Sequence, residues 1–168
     1  LRQIHVPAQK HFVEGTWLQG SGEPLEVVSP INGQAFTTLA RGTAADMERA
    51  VASARAAFED RRWAGMPPAA RKKILHRLAD LIEANALELA VLGVRDNGTE
   101  IKMALKAEPG SAAGTFRYYA EAIDKVYGEI APTAANVVGL INRSPVGVVG
   151  AIVPWNFPLM IGAWKLAP

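Results

Sequence analysis

The stretch that decides the fold reads VGVVGAIV at residues 146–153, PWNFP at 154–158 and LMIGAWKLA at 159–167. Its first part is a nearly continuous apolar run rich in β-branched residues, which is typical of a strand buried on both faces of a parallel sheet. Pro154 and Pro158 end that strand, and the residues after them predict a helix. A strand, a turn and a helix in this order predict an α/β fold, in which ligands bind beyond the carboxyl ends of the strands.

A membrane-spanning helix is the alternative interpretation of the same stretch. Lys165 is the only charged residue between Pro145 and Pro168, and an apolar run of this length can span a bilayer. Pro154 and Pro158 would break such a helix. We therefore favour a strand, a turn and a helix, and expect no membrane anchor.

Upstream, turn signals separate short strands between residues 12 and 40. Glu14-Gly15 predicts a tight hairpin turn, and Asn32-Gly33 predicts a turn between strands at 25–28 and 35–40. Thr43 and Asp46 have the spacing of a capping box, and the helix they open has one apolar face that continues to Phe58.

Further helices follow. Pro67-Pro68 can open the second helix, whose apolar stripe predicts one helix over 71–92 that stops before Asn97-Gly98. A short helix over 100–107 is expected to end before Pro109, and Ser111 to cap another helix. After Gly128 the pattern returns to strands, with one expected over 137–141.

Composition excludes several classes of protein. The 168 residues contain no cysteine and carry a formal net charge of +2. A disulfide scaffold, a cysteine-ligated metal site and a cysteine nucleophile within this chain are therefore excluded. Interspersed charges do not form the dense basic face that nucleic acid requires. The first ten residues lack a signal-peptide core, so we expect a cytoplasmic protein.

Asn156 is the one polar side chain in the turn, and two interpretations are open. Its amide could donate a hydrogen bond to a developing oxyanion, or its side chain could cap the helix that begins near Phe157. From the residues alone, capping is favoured. Phe157, Ile161 and Lys165 share a helix face that Trp164 adjoins; that face could be core or a substrate wall, with core the simpler interpretation.

The motif from Ser144 to Leu159, with Ala163–Pro168, strongly resembles NAD(P)-dependent aldehyde dehydrogenases, and betaine-aldehyde-type members are similar in style. Supporting motifs occur in family order along the chain, among them Ser29-Pro30, Asp96-Asn97-Gly98, Tyr118-Tyr119 and Gly128-Glu129. The resemblance implies the N-terminal part of that α/β fold. Residues 1–126 would be the N-terminal strands and helices of the coenzyme-binding domain, 127–145 an oligomerisation hairpin, and 146–168 the first strand, turn and helix of a Rossmann-like core.

The same resemblance implies a role for each residue of the site. Asn156 would form part of the oxyanion hole and Lys165 would belong to a charge relay. Nicotinamide and its ribose would contact Ile152, Val153, Pro154, Trp155 and Asn156. The aldehyde tunnel would be lined by Phe157, Ile161 and Trp164. A monovalent cation would bind at Val27, Val28 and Asp96.

The implied function is oxidation of an aldehyde to a carboxylic acid with NAD or NADP. The family's nucleophilic cysteine and general-base glutamate would lie downstream of Pro168, so the chain is expected to be an N-terminal fragment that is inactive alone. A homodimer or homotetramer would form through residues near 127–145. The alternative is a non-catalytic assembly module that pairs with a full-length dehydrogenase.

Overall fold

The computed structural model describes residues 6–168, so the first five residues of the predicted 1–126 segment lie outside it. The described chain is a mixed α/β structure. Its strands are β1 (His11–Val13), β2 (Thr16–Leu18), β3 (Gly22–Val28), β4 (Ala35–Arg41), β5 (Glu129–Ala131) and β6 (Gly139–Ile141). Its helices are α1 (Ala44–Glu59), α2 (Pro68–Ala84), α3 (Ala86–Asn97), α4 (Ile101–Ala122) and α5 (Pro158–Leu166).

The predicted turns join antiparallel strand pairs. β1 pairs with β2 across Glu14 and Gly15, whose φ angles of 57° and 75° are those of a hairpin turn that matches strand twist. β3 pairs with β4 across the turn that contains Gly33, also at positive φ. β5 and β6 form a third pair, inside the predicted 127–145 hairpin.

The capping box at the start of α1 is confirmed. The Asp46 amide donates to Thr43 Oγ1 over 3.5 Å, and the Thr43 amide donates to Asp46 Oδ2 over 2.8 Å. Ser21 adds two further bonds to the same carboxylate and so ties the start of β3 to the helix. The apolar face of α1 is not buried as the pattern implied, since Met47 is 65% exposed and no α1 residue is buried.

These bonds are expected to make the stability of the protein depend on pH in the acid range. Hydrogen bonds from the Ser21 and Thr43 backbones hold the pKa of the Asp46 carboxyl well below its usual range. The stabilising contribution of this group is therefore complete above the ordinary aspartate pKa of about 3.9 and is lost as the pH falls below it. We expect the Tm gap between wild type and Asp46→Asn to be constant from about pH 7 to 5 and to shrink below about pH 4.

Thermal unfolding followed by circular dichroism across this pH range measures the gap. Glu48→Gln is the matched control, because Glu48 lies on the same helix in an exposed position. A gap for Asp46→Asn that stayed the same down to about pH 3 would contradict the prediction.

The prediction of a single helix over 71–92 is wrong, because the helix is interrupted at Asn85. The Asn85 backbone leaves helical geometry at φ −108° and ψ 18°, and its side-chain amide donates to the Leu81 carbonyl over 2.8 Å. Asparagine competes for helix carbonyls in this way. Continuous apolar spacing therefore hid the interruption between α2 and α3.

The predicted break at Pro109 is also wrong. α4 runs without interruption through Pro109, and the Glu100 side chain caps its start by accepting from the Met103 amide over 3.0 Å. A proline inside a helix removes one backbone hydrogen bond. Burial of one α4 face on both sides of Pro109 outweighs that loss. The buried residues of α4 include Ala104, Ala112, Ala113, Phe116 and Ala120.

α4 is the central helix of the core. It packs against α2, α3 and α5, and the alanines on its buried face let those helices approach closely. The buried hydrophobic cluster joins α4 to Leu75, Ala79 and Ile82 of α2 and to Ala163 and Ala167 at α5. α5 therefore packs directly against the core, and this packing also fixes the position of the turn before it.

The expected buried strand over 146–153 is not present. These residues form no strand, and Val146, Val149 and Ile152 are exposed. The three strand pairs of the described chain lie elsewhere, so no neighbouring strand supplies partners for this backbone. An apolar run becomes a buried parallel strand only when flanking strands and covering helices are in place. Among the described residues, no helix has the length and apolar character needed to cross a membrane.

Candidate functional site

α5 begins at a proline and needs an acceptor from elsewhere. Pro158 stands at the first helical position, where its missing N–H leaves no unsatisfied donor. The amides of Leu159 and Met160 remain without intrahelical partners. Phe157 occupies the N-cap position, and its side chain cannot accept a hydrogen bond. The helix start therefore depends on a tertiary contact.

Glu108 of α4 supplies that contact. Its Oε2 accepts from the Leu159 amide over 2.8 Å and from the Met160 amide over 3.3 Å. The residue is only 4% exposed. Its other carboxylate oxygen, Oε1, lies beside Gly93 of α3, where an added Cβ would be 3.5 Å away. Sequence reasoning missed Glu108 because it lay where the helix was expected to end before Pro109.

Asn97 holds the turn from the other side. Its Nδ2 donates to the carbonyls of Trp155 and Asn156 over 3.4 and 3.3 Å, while its Oδ1 accepts from the Thr99 amide over 2.9 Å. The bend that places Asn97 at the end of α3 is completed by Gly98 at φ 77°. The Asn97-Gly98 stop signal is therefore confirmed, and Asn97 also contacts the turn.

The capping interpretation of Asn156 is wrong. Asn156 precedes the N-cap position, and α5 has no cap bond from a side chain at that position. The Asn156 side chain is exposed and has no hydrogen-bond partner among residues 6–168. The Asn156 backbone carbonyl is held by Asn97, while the side-chain amide of Asn156 remains available as a donor of two hydrogen bonds.

The face of α5 with Ile161 and Lys165 turns away from the core, and Phe157 precedes the helix at its N-cap position. Ala163 is buried, and Ile161 and Lys165 each lie two residues from it, close to the opposite side of the helix. Trp164 is 48% exposed, Lys165 is exposed, and Phe157 and Ile161 are half-buried. The core interpretation is therefore wrong for Trp164 and Lys165.

The residues expected to contact nicotinamide form an open apolar strip before Asn156. Ile152 is fully exposed, Trp155 is 74% exposed, and Val153 and Pro154 also face solvent. Exposed apolar side chains beside an amide donor fit a planar, partly apolar ring. These residues are consecutive along the chain and lead directly into the anchored turn.

A cavity of about 400 Å³ lies behind the turn. Val27 of β3, Asp96 of α3 and Glu108 of α4 all line it, together with Pro158 and Leu159. Val28 is not among its lining residues. Within residues 6–168, no group of three or more His, Asp or Glu side chains is arranged to hold a metal ion. A site built from backbone oxygens at Val27, Val28 and Asp96 stays a prediction.

Curated proteins with related sequences are aldehyde dehydrogenases. The chain is 46% identical over 158 residues to the NADP/NAD-dependent aldehyde dehydrogenase PuuC of Escherichia coli, a match that covers 94% of this chain and 32% of that protein. It is 40% identical over 161 residues to the aminoacetaldehyde dehydrogenase of Pseudomonas aeruginosa, with 95% and 32% covered.

Solved structures agree with these matches. A cysteine-to-alanine mutant of the P. syringae indole-3-acetaldehyde dehydrogenase AldA, in complex with NAD+ and IAA, matches with a TM-score of 0.93 and 41% identity, over 99% of this chain and 34% of that one. The chain spans about a third of the length of these relatives. A model of the aldehyde dehydrogenase family matches residues 17–168, and the chain therefore belongs to that family.

Proposed function

We propose that this chain serves an NAD(P)-dependent oxidation of an aldehyde to a carboxylic acid, in which Asn156 supplies an oxyanion donor. The observation that carries the proposal is a free side-chain amide on a backbone anchored by Asn97 and Glu108. A preorganised donor of this kind stabilises charge that develops in the transition state. Relatives named as aldehyde dehydrogenases support the substrate class.

The reaction assigns a function to each part of the site. A cysteine thiolate adds to the aldehyde carbon, and negative charge gathers on the carbonyl oxygen, where Asn156 Nδ2 donates a hydrogen bond. The nucleophile must come from outside these 168 residues, since they contain no cysteine. NAD+ or NADP+, when bound, accepts the hydride that leaves the same carbon. Water then hydrolyses the thioester, which releases the acid and restores the thiol.

The remaining site residues bind and orient. Ile152, Val153, Pro154 and Trp155 would form an apolar wall for nicotinamide and its ribose. Phe157, Ile161 and Trp164 would line the path of the aldehyde, since none of the three belongs to the buried core cluster. Lys165 would place a cation at the same face, and no carboxylate among the described residues pairs with it at ion-pair distance. Val27, Val28 and Asp96 would bind a monovalent cation.

The test compares steady-state oxidation of aldehydes with NAD+ and with NADP+ by the wild-type enzyme and by an Asn156→Ala variant. Formation of carboxylic acid with an equal amount of reduced nicotinamide supports the reaction class. Aldehyde-dependent turnover that does not require Asn156 would contradict its role.

Assembly through the hairpin is a second proposal, carried by its exposed apolar surface. Ile130 and Leu140 are directly opposite each other, and both are 76% exposed. Val138 and Tyr127 extend the same exposed apolar character. Edge strands and apolar patches of this kind mark association surfaces. The hairpin would join copies of the dehydrogenase into a homodimer or homotetramer; a chain acting only as an assembly module would pair with a full-length dehydrogenase there.

We expect Ile130→Asp with Leu140→Asp to abolish self-association, because each buried carboxylate would lack a partner in the interface. Light scattering coupled to size-exclusion chromatography measures the mass. Asn136→Asp is the matched control, since it adds the same kind of charge at an exposed position of the same hairpin without removing apolar surface. An unchanged oligomer in the double variant would place the interface elsewhere.

A further inference from the structure

We propose that Asn97 and Glu108 are positioning residues that set the direction of the Asn156 side chain. The inference rests on the proposed function of Asn156 as oxyanion donor. Neither residue touches the reacting atoms in this scheme, and both act through the backbone of the turn.

Asn97 controls the two peptide planes on either side of Asn156. The Trp155 carbonyl belongs to the peptide group before the Asn156 Cα, and the Asn156 carbonyl belongs to the one after it. One Nδ2 group contacts both oxygens, over 3.4 and 3.3 Å. The orientations of these two planes together determine where the Cα–Cβ bond points. Because the Thr99 amide holds Oδ1, the Asn97 amide presents its NH2 to the turn.

Glu108 fixes the segment immediately downstream. Its carboxylate binds the amides of Leu159 and Met160, so it restrains the next two peptide groups that carry an N–H after Phe157. Within residues 6–168, no Lys, Arg or His lies at ion-pair distance from it. Burying a carboxylate without a cation is unfavourable, and the positive end of α5 with its two amides offsets that cost.

Asn97 and Glu108 therefore hold the turn from two helices that the core makes rigid. α3 carries Asn97 and α4 carries Glu108, and α4 packs on both α3 and α5. A donor that stabilises a transition state must be held in place before the reaction, and small displacements reduce the rate sharply. Rotation of the turn would leave Asn156 chemically intact and misdirected.

The experiment uses the full dehydrogenase with Asn97→Asp, Glu108→Ala and Glu108→Gln, each alone and combined with Asn156→Ala. Asn97→Asp keeps the acceptor for Thr99 and places a carboxylate against two carbonyls. We expect it, and Glu108→Ala, to lower kcat about 10–100-fold with little change in KM. Glu108→Gln keeps an acceptor oxygen of the same reach and should recover most of kcat.

The double variants separate positioning from simple loss of stability. If Asn97 and Glu108 act through Asn156, each double variant should have the kcat of Asn156→Ala alone, since residues that act as a unit are not additive. Asn85→Ala is the matched control: it removes a side-chain bond to helix backbone at the junction of α2 and α3, and it should leave kcat unchanged. Tm is measured for every variant.

Two results would overturn the inference. The first is an unchanged kcat in Asn97→Asp and Glu108→Ala proteins that remain folded. A lower Tm with an unchanged kcat would count in the same way, because both residues would then have only a structural role. The second is a double variant whose fold-loss of kcat equals the product of the losses in the two single variants. An unaffected kcat in Asn156→Ala would instead overturn the proposed function itself, so the two failures are distinguishable.

Discussion

Replacing Asn156 with alanine in the full dehydrogenase is expected to lower kcat about 10²–10³-fold, the loss typical of one oxyanion-hole donor. The reason is geometric and electrostatic. Among the residues that the structure describes, the side-chain amide of Asn156 has no hydrogen-bond partner, and its turn is held by Asn97 and Glu108. The amide can therefore bind a developing oxyanion without breaking another hydrogen bond. Because that charge is absent in the free aldehyde, KM should change little.

The measurement is steady-state kinetics of aldehyde oxidation, with Asn156→Asp and Asn85→Ala alongside. Asn156→Asp keeps the shape, removes both donors and adds a negative charge beside the oxyanion, so its kcat should fall at least as far as in the alanine variant. Asn85→Ala removes an asparagine amide bonded to helix backbone and should retain activity. Equal kcat in all variants would contradict the oxyanion role.

The purified 168-residue chain by itself is expected to show no aldehyde-dependent formation of reduced nicotinamide. It contains no cysteine, so no thiolate is present to add to the carbonyl carbon. Water is a far weaker nucleophile than a thiolate. The apolar strip at Ile152 and Trp155 is also open to solvent, which weakens any electrostatic stabilisation there.

The assay follows reduced nicotinamide with a panel of aldehydes, with the full dehydrogenase as the positive control. The chain's folded state is checked by circular dichroism in the same buffer, so that inactivity cannot be assigned to unfolding. Sustained turnover by the folded chain would contradict the requirement for a thiol nucleophile. It would also require a different role for the turn.

Local signals predicted the parts of this structure that depend on local chemistry. Glu14-Gly15 and Asn32-Gly33 turn where expected because positive φ is accessible at Gly15 and Gly33. The Thr43 and Asp46 box opens α1, since each side chain binds the backbone of the other within four residues. The PWNFP motif marked the turn before α5 and carried the family resemblance that the comparisons confirm.

Patterns that depend on partners were less informative. The apolar run over 146–153 predicted a buried strand, but a strand forms only beside another strand, and none of the described strands adjoins it. The stripe through Ile82 and Leu89 spans two helices, because spacing alone does not detect the turn at Asn85. Pro109 lies inside α4 because packing outweighs the lost backbone bond.

The sequence by itself determined the hairpin turns, the starts of α1 and α2, the absence of a thiol and the place of Asn156 in a proline-flanked turn. Only the tertiary structure decided how that turn is held. Glu108 caps α5 from α4, and Asn97 binds the turn from the end of α3. Both contacts join residues that are 51 or more positions apart in the chain, so no local pattern carries them. They leave the Asn156 amide free because a buried carboxylate already satisfies the helix start that Asn156 was expected to cap.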